Sequence, residues 1–197
     1  EHGVHFFDLF EGWLGSGTVV AAQRTLRPRT QIEEQVQCTV RYRQGALVNF
    51  YHGFTQPTRL DRQEFRLVFE QGDVLMEEWV PVRVRLRAVA DEKGTRELMD
   101  LFPGARLDIE QTYAARDRCI RARHKLVDVS QKIEIRYGMG NHKMHRYGEL
   151  LRTMLQDQLS WIHDRSHRRV ITEKNGRDSL ALAIAATTLA QASSAAC

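Results

Sequence analysis

The feature that most constrains the fold of this chain is the alternation of apolar and polar residues through its middle. In EQVQCTVRYRQGALVNFYHGF, every second residue from Val36 to Tyr42 is apolar or cysteine, and a Gln-Gly pair interrupts the run. This pattern predicts two strands of a hairpin, because successive side chains of a strand point to opposite faces. RQEFRLVFEQGDVLMEEWVP repeats the pattern around a Gln-Gly-Asp turn. The middle of the chain therefore predicts hairpins of an antiparallel sheet.

The longest helical patterns lie at the two ends of the chain. Apolar residues three and four apart predict a helix over residues 3–14, which Gly15 and Gly17 end. MHRYGELLRTMLQDQLSWIHD and TEKNGRDSLALAIAATTLAQAS predict two further helices, with Asn141 and Thr172 as N-caps. Strands in the middle and helices at the ends predict an α+β fold: an open, mostly antiparallel β-sheet with helices packed on one face, in two layers.

The segment between these patterns supplies more strands and one short helix. VRVRLRAVAD alternates aliphatic residues with Arg83, Arg85 and Arg87, so it predicts a strand with one solvated face. TRELMDLF predicts a short helix that the following Pro-Gly pair ends, and ARLDIEQTY and QKIEIRYG predict two more strands. No internal repeat or low-complexity linker divides the chain, so we predict a single domain over residues 1–197.

Composition narrows the class of protein. With 197 residues, 42% of them hydrophobic, and a net charge of +4, the chain can form a core and is not typical of a disordered protein. Its apolar runs are shorter than the roughly 20 residues of a membrane span. Its three cysteines form neither a C-x-x-C pair nor a disulfide framework. Basic and acidic residues alternate, as in RLDRQEFRLVFEQGD, which argues against nucleic-acid binding. We expect a cytoplasmic protein.

The motifs of common cofactor and metal sites are missing from the sequence. GMGNHK, at residues 138–143, lacks the third glycine of a dinucleotide-binding loop and precedes no βαβ unit. Walker, H-E-x-x-H and G-x-S-x-G motifs do not occur. Four histidines are candidate metal ligands: His142, His145, His163 and His167. No cysteine or carboxylate completes a convincing set of ligands with them. We therefore expect no cofactor-binding and no metal-binding residues in this chain.

A candidate catalytic cluster lies at the start of the first helix, in EHGVHFFDLFEGWLG. Glu1 and His5 are four residues apart, so on a helix they share one side a turn apart, and Asp8 continues that side. A carboxylate beside a histidine favours the imidazolium and selects the ring tautomer, which suits a general acid–base near neutral pH. Acid–histidine pairs with this spacing also occur on ordinary solvated helices, so spacing alone leaves both interpretations open.

The same string resembles the helix that opens the C-terminal domain of the Gfo/Idh/MocA oxidoreductases, with its pattern acid-x-G-x-H-x-x-D, an apolar pair and a glycine. QVQCTVRYRQGALVNFYHGF and EFRLVFEQGDVLME are similar to two of the family's hairpins, although residues 69–71 replace the first glycine region of the second. ITEKNGRDSLALAIAATTLAQAS resembles the family's last loop and Ala-rich helix. The resemblance extends from residue 1 to about 193, and residues 91–143 are its least similar part.

Members of that family join an N-terminal Rossmann domain, which holds NAD or NADP, to a domain of this type. The resemblance implies that the chain is the substrate-binding and oligomerisation domain of an NAD(P)-dependent oxidoreductase acting on a sugar-like or polyol hydroxyl, without its Rossmann half. By matched position, His5 is the catalytic acid–base, Glu1 the catalytic acid that orients it, and Asp8 a substrate-binding residue. The isolated chain is then expected to bind no cofactor and to be inactive.

One departure from the family pattern favours an alternative function. The family more often has Asp where this chain has Glu1, and the additional methylene moves the carboxylate by about one ångström relative to His5. The alternative is a non-catalytic oligomerisation or ligand-binding module with the same fold.

The resemblance also implies a homodimer, because the family's sheets often pair face to face between subunits. Trp79, Phe50 and Phe54 are candidates for the apolar centre of that contact or for the core. The arginines of VRVRLRAVAD are expected to line a solvated or subunit-facing surface rather than to contact phosphate. Further candidates for substrate contacts, without an assigned place, are Tyr51, His52 and Arg59.

Overall fold

The computed structural model describes residues 3–57, 60, 62–80, 82–138, 140 and 142–194. The chain forms two compact units: the first consists of Glu1–Asp61 with Gln156–Cys197, and the second of Arg62–Leu155. Each strand pair of the described residues is antiparallel and the sheets are open, which confirms the predicted α+β fold. The single domain over residues 1–197 stays a prediction.

In chain order the elements are α1 (Gly3–Leu14), β1 (Gly17–Leu26), β2 (Glu33–Tyr42), β3 (Leu47–Gly53), β4 (Glu64–Phe69), β5 (Gly72–Glu77), β6 (Arg83–Ala90), α2 (Glu92–Asp100), β7 (Arg106–Thr112), β8 (Cys119–Arg121), β9 (Leu126–Asp128), β10 (Gln131–Gly138), α3 (Lys143–His163) and α4 (Glu173–Ser194). Among the described helices, none combines the length and the apolar composition that a bilayer span requires.

The first unit is a three-stranded sheet in the order β1-β2-β3, with α1 and α4 packed together and α4 against β1. The predicted alternation in β2 is confirmed, since Cys38, Val40 and Tyr42 are all buried. Helix α1 adds Phe7 and Phe10 to the same core. The first unit therefore has a core in which aromatic rings from a helix meet a sheet face.

Phe50 of β3 is at the centre of this aromatic core. Its ring lies 4.8 Å from that of Phe7 and 5.4 Å from that of Phe10, both in edge-to-face geometry. Such pairs contribute about 0.5–1.5 kcal/mol beyond the area they bury. Of the two places that the sequence leaves open for Phe50, the structure shows the core.

The second unit contains a five-stranded sheet in the order β4-β5-β6-β10-β7. One face packs aliphatic side chains, with Leu86, Ile133 and Ile135 buried against Leu98 and Phe102. Helix α2 covers this face by contacting β6 and β10. The other face carries the charged residues that alternate with the aliphatic ones, and cross-strand ion pairs such as Arg87–Asp73, at 2.9 Å, lie on it.

The start of α2 is earlier than the sequence predicts. TRELMDLF places the helix over residues 95–102, but α2 is Glu92–Asp100. The side chain of Asp91 accepts a hydrogen bond from the amide of Gly94 at 2.6 Å, and this N-cap satisfies an otherwise free amide in the first turn. The cap explains why helix begins there although Gly94 has low helix propensity.

Gly72, the first residue of β5, lies close to the backbone of β6. A Cβ atom on Gly72 would lie 2.2 Å from the carbonyl oxygen of Arg87, so a side chain at this position would collide with the neighbouring strand. The hairpin EFRLVFEQGDVLME is confirmed, with β5 beginning at this glycine. The short β8–β9 ladder is an element that the sequence analysis missed, because strands of three residues are too short to show a period.

Of the two predicted N-caps, the structure describes the one at Thr172, before α4. The backbone amide and the hydroxyl of Thr172 both donate to the side-chain oxygen of Asn175, at 3.0 and 2.9 Å. This contact, in which a side chain in the first turn reaches back to the preceding amide, resembles half of a capping box. Asn141, the predicted cap of α3, lies outside the described residues.

Candidate functional site

Helix α1 has a core-facing side and an exposed side. Phe7 and Phe10 are buried, whereas His5 is exposed and Asp8 is half-buried. On a helix His5 and Asp8 are three residues apart and lie on the same side, while Phe7 lies on the opposite side from His5. The packing of the phenylalanines therefore orients the His5 side of α1 away from the core.

The third member of the predicted cluster, Glu1, lies outside the described residues. The Glu1–His5 contact accordingly stays a prediction. The sequence-predicted residues that the structure does place together are His5 and Asp8, by their positions on one helix.

A second histidine lies at the start of α1. His52, on β3, is half-buried, and its ring packs against that of Phe6 in a tilted arrangement with 5.7 Å between the ring centroids. A Cβ atom on Gly3 would lie 3.8 Å from Nε2 of His52, so the first turn of the helix passes close to this imidazole. The sequence made His52 a candidate without a place, and the structure places it beside the first turn of α1.

The other two residues grouped with His52 behave differently. Tyr51 is 61% exposed and points to the opposite face of the sheet from its neighbour His52. Arg59 lies outside the described residues. His52 is therefore the member of that group for which the structure shows a contact with the helix of His5.

Glu11 is a carboxyl group on α1 that the sequence analysis did not single out. One of its side-chain oxygens accepts a hydrogen bond from the backbone amide of Gly17 at 3.3 Å, which ties the end of α1 to the start of β1. Burial raises the pKa of Glu11, and the negative charges of Asp178 and Asp8 act in the same direction. The available signal was its spacing, since Glu11 follows Asp8 by three residues on the helix.

The arrangement around α1 can support proton transfer. It combines an exposed imidazole at His5, a carboxylate one turn away at Asp8 and a half-buried imidazole at His52. Imidazole is the side chain best suited to take or give a proton near neutral pH. A ligand that reaches the exposed side of the first two turns would meet His5 and Asp8, whereas His52 lies against Phe6 and the backbone of Gly3.

A second histidine–carboxylate pair lies far from α1 in the sequence. His167 Nε2 is 2.9 Å from Asp157 Oδ1, and the amide of Val170 donates to Oδ2 of the same carboxylate at 3.1 Å. The hydrogen bond from His167 lowers the pKa of Asp157. Sequence reasoning missed this pair because the loop after α3 brings together residues ten positions apart, and that spacing has no helical signal.

The remaining histidines of the metal hypothesis are dispersed. His145 lies 3.5 Å from Glu149 on the exposed side of α3, and His163 is the last residue of that helix. In the part of the chain that the structure describes, no three His, Cys, Asp or Glu side chains are grouped as a metal site would require.

The residues described here do not fit a dinucleotide cofactor. Such cofactors bind where a glycine-rich turn joins a parallel strand to the N-terminus of a helix. The described strand pairs are all antiparallel, so no described strand has the parallel partner that such a site requires.

The chain was also compared with known proteins. No family model matches it, and a search of curated proteins finds no significant match.

Proposed function

We propose that this chain is the C-terminal substrate-binding and oligomerisation domain of a cytoplasmic NAD(P)-dependent oxidoreductase of the Gfo/Idh/MocA type, acting on a sugar-like or polyol hydroxyl. The supporting observation is the exposed His5 on a first helix that Phe7 and Phe10 anchor in the core. The resemblance of the string EHGVHFFDLFEGWLG adds the reaction type.

The proposed role of His5 is to accept the proton of the substrate hydroxyl during oxidation and to return it in the reverse direction. General acid–base catalysis of this kind contributes about 10²–10⁴-fold to a rate. Asp8, one turn further along α1, is proposed to bind a substrate hydroxyl group, and Glu1 to orient the ring of His5.

The cofactor is proposed to bind to a Rossmann domain that accompanies this one in the parent protein. That domain would determine the specificity for NAD or NADP. Because the residues that the structure describes do not fit a dinucleotide, the isolated chain is expected to show no heat-stability shift with NAD(H). Strong binding of NAD(H) to the isolated chain would contradict the proposal that the cofactor binds to the Rossmann domain.

The proposed oligomer is a homodimer through the uncovered face of the first unit's sheet. Leu47 and Tyr51 of β3 are 57% and 61% exposed there, and Phe54, just after the strand, is 53% exposed. Trp79 belongs to the second unit, where its ring packs against Tyr147 at 4.8 Å. Sedimentation of a Leu47→Glu variant tests the contact, and an unchanged dimer fraction would exclude this face.

The test of catalysis uses the parent protein with its Rossmann domain and a panel of polyols. His5→Ala is expected to lower kcat/KM by 10²–10⁴-fold with little change in folding, since the side chain is exposed. His145→Ala is the matched control, because His145 is also an exposed helical histidine, and should leave kcat/KM within about twofold.

Two outcomes would contradict the proposal. Turnover that survives His5→Ala within about tenfold would show that His5 is not the base. A gene that encodes no dinucleotide-binding loop ahead of Glu1, together with no activity on any polyol, would favour the non-catalytic oligomerisation or ligand-binding module.

A further inference from the structure

Three arginines lie side by side across the charged face of the second unit's sheet. Arg85 of β6 is directly opposite Arg136 of β10, and Arg136 is directly opposite Arg106 of β7. Their side chains point to the face opposite α2, because each alternates with residues of the aliphatic core. Like charges directly opposite on neighbouring strands destabilise a sheet unless a negative charge lies between them.

Two of these arginines have negative partners within the unit. Arg136 makes an ion pair with the buried Glu134, and Arg106 lies 3.0 Å from Asp108. Among the described residues, the guanidinium group of Arg85 has no hydrogen-bond or ion-pair partner. Arg85 is therefore the member of the row whose charge the protein itself leaves uncompensated.

A hollow of about 320 Å³ opens beside Arg85. Arg83, Arg85 and Arg136 line it, together with Leu75 and Gly138 from the flanking strands. Gly138 lies opposite Arg83 in the register, and a Cβ atom there would meet nothing within 4 Å, so the missing side chain leaves room over the sheet. The cross-strand neighbour of Arg85 on its other side is Leu75, which is uncharged.

The charge of the lining favours an anionic ligand. Arg136 is paired with Glu134, and Arg83 with Glu77 and Glu78, so the uncompensated positive charge beside the hollow is that of Arg85. Glu77 accepts a hydrogen bond from Arg83 at 2.9 Å, so that carboxylate is already engaged and Arg83 is partly neutralised. A phosphate monoester carries about −1.5 to −2 charges at pH 7, and a guanidinium group binds its oxygens in bidentate geometry.

We propose that this hollow binds the phosphate group of a small molecule, with Arg85 as its main ligand and Arg136 beside it. The sequence favoured a solvated or subunit-facing surface for the arginines of β6. The cross-strand register supplies the opposing Arg136, which lies 51 positions away in the chain. The site consists of second-unit residues only, so the proposal does not depend on the role proposed for His5.

The experiment titrates the full 197-residue chain with inorganic phosphate at constant ionic strength, by calorimetry and by two-dimensional NMR. Arg85→Gln is expected to weaken phosphate binding at least tenfold. The matched control is Arg96→Gln on α2, an exposed arginine of the same unit on the other side of the sheet, which should bind within about twofold of the wild type. Acetate, as the carboxylate probe, should bind more weakly than phosphate.

A second measurement uses the ligand-free chain at low salt. Arg85→Gln removes the like-charge contact with Arg136, so its melting temperature should equal or exceed that of the wild type, and added phosphate should stabilise only the wild type. Equal phosphate affinity in the wild type and Arg85→Gln would overturn the proposal. The proposal would also be overturned if sodium chloride stabilised the wild type as much as phosphate does, or if acetate bound more tightly than phosphate. A dimer that Arg85→Gln dissociates would overturn it too, because it would show that an acidic side chain of a second copy fills the hollow.

Discussion

Both units cover one face of a β-sheet with helices, but the side chains that form the two cores differ. The first unit covers three strands with the 12-residue α1 and the 22-residue α4, and its core is aromatic around Phe50. The second covers five strands with the nine-residue α2 and an aliphatic core around Ile133.

The uncovered faces differ as well. In the first unit the outward face is polar and mostly uncharged, as in the hydrogen bond from Thr39 to Asn49 at 2.7 Å. In the second unit the outward face carries ion pairs between neighbouring strands, for example Arg87 with Asp73. Exposed ion pairs contribute little to stability, and salt weakens them. Salt does not weaken the burial of apolar side chains in the same way. The stability of the second unit should therefore depend on ionic strength more than that of the first.

The largest expected effect comes from removing the centre of the aromatic core. Phe50→Ala should lower the free energy of unfolding by about 3–5 kcal/mol, because the ring is buried between Phe7 and Phe10. Hydrogen exchange read by mass spectrometry should show the loss of protection first in β2 and β3. Ile133→Ala, the counterpart in the second unit, should loosen β6 and β10 first. If both variants expose the same strands to the same extent, the distinction between two cores fails.

The next effect concerns the reactivity of Cys38 and Cys119, the cysteines within the described residues. Burial raises the pKa of Cys38, in the first core, to about 11. At pH 8 its thiolate fraction, and with it the alkylation rate, should be about a hundredfold lower than for a thiol with the ordinary pKa of about 8.5. Cys119, on the exposed edge strand β8 of the second unit, should react readily. Peptide mapping after timed exposure to iodoacetamide measures both, and fast labelling of Cys38 in the folded chain would show that the first core opens easily.

A smaller effect is expected on the charged face of the second unit. Glu134 is buried and pairs with Arg136 in the row of arginines. Glu134→Gln should cost about 1–3 kcal/mol, because the variant keeps the shape and loses a charge-assisted hydrogen bond. Urea unfolding at low and at 1 M salt should show that the cost shrinks with salt. Thr39→Val on the first sheet is the control, and its effect should be the same at both salt concentrations. A salt-independent cost for Glu134→Gln would contradict the electrostatic account.

The smallest effect is a gain in stability. The hydroxyl of Tyr42 is buried and has no hydrogen-bond partner among the described residues, and burial raises the pKa of this phenol far above its usual range. Tyr42→Phe removes the unsatisfied group and should raise the free energy of unfolding by about 1 kcal/mol. Tyr51→Phe, on the exposed face, should change it by less than about 0.5 kcal/mol. Destabilisation by Tyr42→Phe would show that the hydroxyl is bound in solution.

The hairpins were predictable because their signal is local. The alternation in β2 and the turn at Gly45 require only neighbouring residues, and both β2–β3 and β4–β5 pair as predicted. The position of α2 was less predictable, since the Asp91 cap competes with the low helix propensity of Gly94. The α1 helix was predictable from the spacing of its apolar residues, and its exposed side with His5 and Asp8 follows from that spacing.

The period of side chains along the chain was enough to predict most of the strands and helices and their apolar faces, but not the three-residue strands β8 and β9 or the start of α2. Three features became visible only in the folded chain: β10 lies between β6 and β7, His52 packs beside α1, and Arg85 faces Arg136. Such pairings join residues tens of positions apart. Which strands pair, and in what register, depends on the burial of the whole sheet face, and no local pattern records that choice.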